Sequence, residues 1–153
     1  MEIQLSWLAG LWDGEGSITI FRQREKNGSV KLKPCLVLTN TDENIINHAV
    51  KILDSYEIKF HVIDYTRPRC KRVYQLTTSK LENLNKFCEI LTPYLVGKKA
   101  QAELLKRYVD SRIERIKIAG NNKHAVKYNE EELALQIKLQ SLNHRGEPPE
   151  TKR

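Results

Sequence analysis

Apolar positions recur with two different periods along the chain, and the switches between them outline its elements. Residues 4–14, QLSWLAGLWDG, predict a short apolar helix with Ser6 as the expected N-cap. Ser17 to Gln23, SITIFRQ, has the residue types of a strand. Lys26-Asn27-Gly28-Ser29 follows, and Asn-Gly between two such runs is a strong hairpin signal. Val30 to Thr39 is the returning strand, in which Pro34 marks a bulge or an edge position. Asn40-Thr41-Asp42-Glu43 breaks that strand and starts a helix capped by Thr41 or Asp42, with Ile45, Ile46, Ala49, Val50 and Leu53 at helical spacing. Ile58 to Thr66 and Lys71 to Thr78 predict a second hairpin around Arg67-Pro68-Arg69.

Ser79 is the expected cap of the next helix, which places Leu81, Leu84, Phe87, Cys88 and Leu91 on one face and ends at Pro93. Lys99 to Ile118 predicts a long helix with Ala102, Leu105, Tyr108, Val109, Arg112 and Ile116 along one stripe. After a break at Gly120-Asn121-Asn122, Glu130 to Leu142 reads as a last amphipathic helix, and the tail from His144 to Arg153 is expected to be disordered. The order predicts an α+β fold: an antiparallel sheet of about four strands, helices on one of its faces, the other face open.

Alternation along the strands sorts the side chains. Ile18, Ile20, Leu32, Leu36 and Leu38 should face the helices, with Phe60, Val62, Tyr74 and Leu76 from the second hairpin. Thr19, Phe21, Gln23, Lys31, Lys33, Cys35, Val37 and Thr39 should face outward, with His61, Ile63, Tyr65, Arg67, Lys71, Val73 and Gln75.

Charge sharpens this picture. The net charge is +7. Residues 17–40 carry Arg22, Arg24, Lys26, Lys31 and Lys33 against Glu25, and residues 58–79 carry Lys59, Arg67, Arg69, Lys71 and Arg72 against Asp64. Each hairpin is therefore +4, and the rest of the chain sums to −1. A run of charge is usually a solvated face, but an excess held by two separate hairpins points to an anionic partner lying along the sheet. A two-stranded ribbon fits the major groove of double-stranded DNA, and this mixture of basic, amide, hydroxyl and aromatic groups, with Arg69 in the second turn, suits reading base edges.

Composition excludes other classes. The 153 residues make one ordinary domain. Three cysteines with no CxxC pair, and His48, His61, His124 and His144 scattered along the chain, speak against a disulfide framework or a zinc site. The longest apolar run, Trp7 to Trp12, is far short of a membrane span, and Glu2 stands where a signal peptide would be basic. An intracellular protein with no membrane partner and no small-molecule substrate is expected.

The most informative stretch is Leu8-Ala9-Gly10-Leu11-Trp12-Asp13-Gly14-Glu15-Gly16. On a helix, Gly10 and Gly14 share a face and let a second helix approach closely. Glu15 would sit at the helix C-terminus, where the dipole disfavours a negative charge, so a compensating cation is expected. A short core helix followed by a turn would also produce this pattern.

The same stretch resembles the signature of the LAGLIDADG homing endonucleases, written here LAGLWDGEG. Trp12, Gly14 and Glu15 depart from the namesake letters; glycine before the acid, and Glu for Asp, are substitutions that family tolerates. Its αββαββα order matches Ser6 through Leu91 and its following helices match the rest. The resemblance covers about residues 1–118, leaving 119–143 as a C-terminal helical extension.

The resemblance implies metal-assisted hydrolysis of phosphodiesters. Glu15 and the Gly14 carbonyl oxygen would ligate Mg²⁺, with Mn²⁺ as a substitute and Ca²⁺ supporting binding without cleavage. By place in the family pattern, Asp42 would orient water and Lys98 would lie near the scissile phosphates, with Lys99 as its neighbour. One motif supplies one acid, a double-strand cut needs two, and no second LAGL-type stretch exists in the chain. Two copies are therefore expected to pair through Leu8, Gly10, Leu11 and Gly14, forming a homodimer that cuts a long pseudopalindromic DNA site of the intron or intein type.

Two other readings compete. A non-cleaving DNA or RNA binder, or a splicing maturase, would use the same fold, but that class usually loses the motif acid. An unrelated basic RNA-binding module would stack bases on aromatics such as Phe21 and Tyr65, and leaves the Gly10, Gly14 and Glu15 arrangement unexplained.

Overall fold

Two hairpins set side by side make the sheet. In the computed structural model, which describes residues 2–144, with the side chains of 123–125 excepted, the strands are β1 (Gly16–Arg24), β2 (Val30–Asn40), β3 (His61–Tyr65) and β4 (Val73–Thr78). All pairing is antiparallel, in the order β1-β2-β4-β3. The helices are α1 (Glu2–Glu15), α2 (Glu43–Ser55), α3 (Leu81–Leu91), α4 (Lys99–Ala119) and α5 (Glu130–Asn143), with a short 3-10 turn at Thr92–Tyr94. This is the expected α+β architecture. The tail expected to be disordered lies outside the described residues from 145 onward.

The core lies between the sheet and the helices. Ile18, Ile20, Leu32, Leu36, Leu38 and Leu76 are buried, as alternation requires, and meet Trp12, Phe87 and Tyr108 from the helical layer. Trp12 packs its indole 4.7 Å from the Phe87 ring and 5.8 Å from Phe60. Removing an aromatic so buried costs about 3–5 kcal/mol.

Several local expectations are corrected. Ser6 is inside α1, because Glu2, Ile3 and Gln4 extend the helix and Glu2 suits the positive end of its dipole. Of the two expectations for Pro34, the bulge is absent and the edge position holds. Pro34 pairs with Ile20, whose carbonyl points away from β2, so the proline nitrogen faces the side where β2 has no partner until Leu36. β3 starts only at His61, because the Lys59 N–H is taken by Asn83 Oδ1 at 3.1 Å. Val62 pairs with Leu76 on the helix side as expected but is 53% exposed, since β3 is an edge strand. Ser79 does not cap α3; Lys80 holds the N-cap position.

α5 also differs from expectation: much of its buried face is polar. Glu132 and Gln136 are buried beside Leu135 and Leu139. Gln136 Nε2 donates to the Ile20 carbonyl at 3.3 Å, and Asn143 Nδ2 to the Ile18 carbonyl at 2.9 Å. Side-chain amides thus occupy the free edge of β1, which would otherwise invite another strand. An Asn129–Glu132 capping box starts the helix, and Glu132 pairs with Arg115 and, at 3.6 Å, with Arg112 of α4. α5 is therefore tied to both the sheet and α4.

Candidate active site

α1 runs to Glu15 and β1 begins at Gly16, so the motif stretch spans the junction of helix and sheet. Gly16 is required there: a Cβ would stand 2.4 Å from the buried Trp12 ring. Gly10 and Gly14 are different. A Cβ at either would meet nothing within 4 Å, so packing within the chain does not demand glycine. Glycine inside a helix costs about 0.8–1 kcal/mol relative to alanine. These two continue an exposed row with Ile3, 84% exposed, and Trp7, 38% exposed, whose ring meets His48 of α2 edge-on at 4.6 Å.

Leu11, expected at the same interface, is half-buried against the core. Leu8 was also expected there, and this is corrected. It is 0% exposed and belongs to the chain's own core, because it lies on the opposite side of α1 with Leu5 and Trp12. Trp7 and Ile3 share the exposed row of Gly10, which their spacing of three and seven residues from it already signals in the sequence.

At the end of α1, the exposed Glu15 carboxylate accepts a hydrogen bond from Asn40 Nδ2 at the end of β2. The Asn40 side-chain oxygen in turn accepts the Asp42 N–H at 2.7 Å. Asp42, the expected water-orienting residue, is exposed and is also the N-cap of α2, one of the two caps read from the sequence, accepting the Asn44 N–H at 2.9 Å. Asn40 is thus the polar side chain at the motif acid, a residue read from sequence only as a strand breaker. A recess of about 440 Å³ opens here, lined by Glu15, Thr39, Asn40, Thr41 and Val73.

Lys98 meets the same turn of α1 from the other side. Its ammonium donates to the Asp13 carbonyl oxygen at 2.5 Å. That carbonyl belongs to the last turn of α1, where helix carbonyls lack partners and a cation is favoured. A cation therefore stands at this helix end, on the Asp13 carbonyl. Asp13 answers with both carboxylate oxygens, accepting Val96 N–H and Lys98 N–H, each at 2.8 Å. Lys99, exposed, is the first residue of α4.

Glu15 and the Gly14 backbone oxygen are hard oxygen donors of the kind that hold Mg²⁺ or Ca²⁺, and both residues are exposed. Among the described residues, no three His, Cys, Asp or Glu side chains group to hold a metal. A cation at Glu15 would thus complete its shell with water, phosphate or a second copy.

Strand register brings the outward set onto one face. Across it run the pairs Gln23–Lys31, Phe21–Lys33 and Thr19–Cys35, then Val37–Thr77–His61, Thr39–Gln75–Ile63 and Val73–Tyr65. Phe21 is 49% exposed, Gln23, Lys31, Lys33 and His61 are exposed, and Thr19, Thr39, Gln75 and Tyr65 are half-buried. Arg67, Arg69 and Lys71 are exposed in the β3–β4 turn, where the Arg67 guanidinium lies 5.8 Å from the Tyr65 ring centre. Cys35 is corrected: it shares this face, but is buried to 5% exposure, with its Sγ 3.4 Å from Thr77 Oγ1. A small side chain between longer neighbours is recessed and offers a ligand little to touch.

Comparison with known proteins bears on this arrangement. The family model described as LAGLIDADG endonuclease matches residues 8–109, about two thirds of the chain. The chain belongs to the LAGLIDADG endonuclease family. The match runs from the start of the motif on α1 through the turn carrying Lys98 and into α4. Among solved structures, the fold of this LAGLIDADG protein is similar to an archaeal intron-encoded homing endonuclease, I-Vdi141I, complexed with DNA. The TM-score is 0.71 at 15% identity, covering 95% of this chain and 87% of that one. It is also similar to the homing endonuclease I-CvuI in complex with its target in the presence of Ca, at TM-score 0.66 and 18% identity, covering 95% and 85%. A third is the group I intron-encoded homing endonuclease I-CeuI complexed with DNA, at TM-score 0.65 and 15% identity, covering 91% and 67%. A sequence comparison with curated proteins found no match. Among the described residues, no helix is long and apolar enough to cross a membrane.

Proposed function

We propose that this LAGLIDADG protein is a homodimeric, divalent-metal-dependent endonuclease that cuts both strands of a pseudopalindromic DNA site. The observation that carries the reading is the shared geometry of α1. One helix presents an open row of Ile3, Trp7, Gly10 and Gly14, and ends in an exposed acid held by Asn40 at the rim of the basic sheet. Two copies packed through that row bring two Glu15 residues together. The sheet faces then lie side by side as a DNA-binding surface, with Thr19, Phe21, Gln23, Lys31, Lys33, Thr39, His61, Tyr65, Arg67, Arg69, Lys71 and Gln75 available for phosphates and base edges.

Glu15 and the Gly14 carbonyl oxygen are the residues that would hold Mg²⁺. When bound, the metal supplies a lowered water pKa and charge neutralisation at the phosphate. Asn40 orients the Glu15 carboxylate and neighbouring water, and Asp42 fixes Asn40 through its N–H. Lys98 adds positive charge near the scissile phosphate.

The test is cleavage of a randomised duplex library in Mg²⁺. Linear products with a common recovered sequence are expected. Retention of specific duplexes without a cut would instead favour a non-cleaving binder or a maturase.

A further inference from the structure

The endonuclease reading leaves Asp13 without a role, yet this acid is the best-connected polar side chain of the motif stretch. Its Oδ2 accepts the Val96 N–H and its Oδ1 the Lys98 N–H, both at 2.8 Å. The bond returns in the other direction, from the Lys98 ammonium to the Asp13 carbonyl oxygen at 2.5 Å. Segments 85 residues apart are thus closed on each other by reciprocal bonds. Both carboxylate oxygens are engaged by backbone donors, the charge-assisted kind of bond that fixes geometry.

We propose that Asp13 is the positioning residue for Lys98 in strand cleavage, an inference that rests on the endonuclease reading above. A lysine carries its charge on a flexible stem, so where the charge acts depends on where its backbone is held. Asp13 holds that backbone against the helical turn that also carries Gly14 and Glu15. Cation and motif acid therefore keep one register, although they lie far apart in the sequence. Asp13 acts through Lys98; its own carboxylate is committed to the Val96–Lys98 loop.

The experiment measures single-turnover cleavage of a duplex that wild-type protein has selected from a randomised library, using Asp13→Asn, Lys98→Gln and the double variant. Asparagine keeps the shape and one acceptor oxygen. Displacement of a catalytic group by about 1 Å costs on the order of 10²-fold, and that loss is expected for Asp13→Asn, with duplex affinity in Ca²⁺ nearly unchanged. Groups acting as a unit are non-additive, so the double variant should be no slower than Lys98→Gln by more than about threefold. Losses that multiply would show Asp13 acting apart from Lys98 and overturn the proposal, as would a wild-type rate in Asp13→Asn. Should the Asn variant fail to fold, Asp13→Glu keeps the charge, shifts the acceptors by one methylene, and is held to the same criteria.

A second readout needs no cutting. The Val96 and Lys98 amide signals in a ¹⁵N–¹H spectrum should move in Asp13→Asn and stay in place in Glu15→Gln. Unmoved signals in Asp13→Asn overturn the proposal. A wild-type chain that cuts nothing, while those signals move as expected, shows that the endonuclease reading has failed and the catalytic role with it. A wild-type chain that cuts no faster than Asp13→Asn removes the positioning role alone.

Discussion

Asn40 links Glu15 to the start of α2: its amide nitrogen donates to the Glu15 carboxylate while its oxygen holds the Asp42 N–H at 2.7 Å. One side chain therefore sets both the orientation of the motif acid and the approach of the helix behind it. Asp42 takes part at one remove, capping α2 through the Asn44 N–H.

This separates two substitutions that sequence position alone would treat alike. Asn40→Ala removes the bond that orients the Glu15 carboxylate and the acceptor of the Asp42 N–H, and should slow cleavage by roughly 10- to 10²-fold while also lowering stability by about 0.5–1.5 kcal/mol. Asp42→Ala removes a helix cap and should lower stability by about 0.5–2 kcal/mol, with the smaller effect on rate. Single-turnover kinetics and denaturant unfolding of both variants check the assignment.

The two faces of α1 predict opposite outcomes. Leu8→Ala opens a cavity in the core and should destabilise the fold by about 2–5 kcal/mol. A Cβ at Gly10 meets nothing within 4 Å, so Gly10→Leu should leave each copy folded, yet it should separate the paired helices and abolish double-strand cutting. Sedimentation velocity should show a dimer for wild type and a monomer for Gly10→Leu.

One cysteine can report on DNA lying along the sheet. Cys70 is exposed in the β3–β4 turn, while Cys35 and Cys88 are buried, and burial pushes the Cys88 thiol up to about 12 against the opposing pull of Lys106. At pH 8 a maleimide should modify one thiol quickly, because the thiolate is the reactive form. Cognate DNA should slow that reaction; equal rates with and without DNA would place the duplex elsewhere.

Salt dependence tests what the hairpins contribute. Affinity should fall linearly on a log–log plot, by about 0.9 for each phosphate neutralised. Replacing Arg67 and Lys71 with alanine should flatten the slope by about two contacts' worth. A wild-type slope near zero would contradict phosphate contacts along the sheet.

Periodicity made the strands legible because one face of each is buried: Ile18, Ile20, Leu36, Leu38 and Leu76 alternate as the register requires. It misled at Val62, since edge position and not alternation governs exposure there. It misled at α5 too, where amides bonded to β1 carbonyls take the place of part of an apolar stripe. The motif pointed to Glu15, and place in the family pattern to Lys98. The partners Asn40 and Asp13 were hidden, because each acts through a contact 25 or more residues away that no local pattern announces. Leu8 was misplaced although its spacing of two from Gly10 already puts it on another face of the helix.

The most direct measurement of the central claim, one acid per copy and one strand per acid, uses a mixed dimer. Wild-type and Glu15→Gln copies carrying different tags are co-expressed, purified through both tags, and given a supercoiled plasmid bearing the selected site in Mg²⁺. Wild-type dimers should yield linear plasmid, Glu15→Gln dimers should bind and leave it intact, and the mixed dimer should accumulate nicked circles. Linear product from the mixed dimer at the wild-type rate, or full cutting by Glu15→Gln alone, would contradict the account.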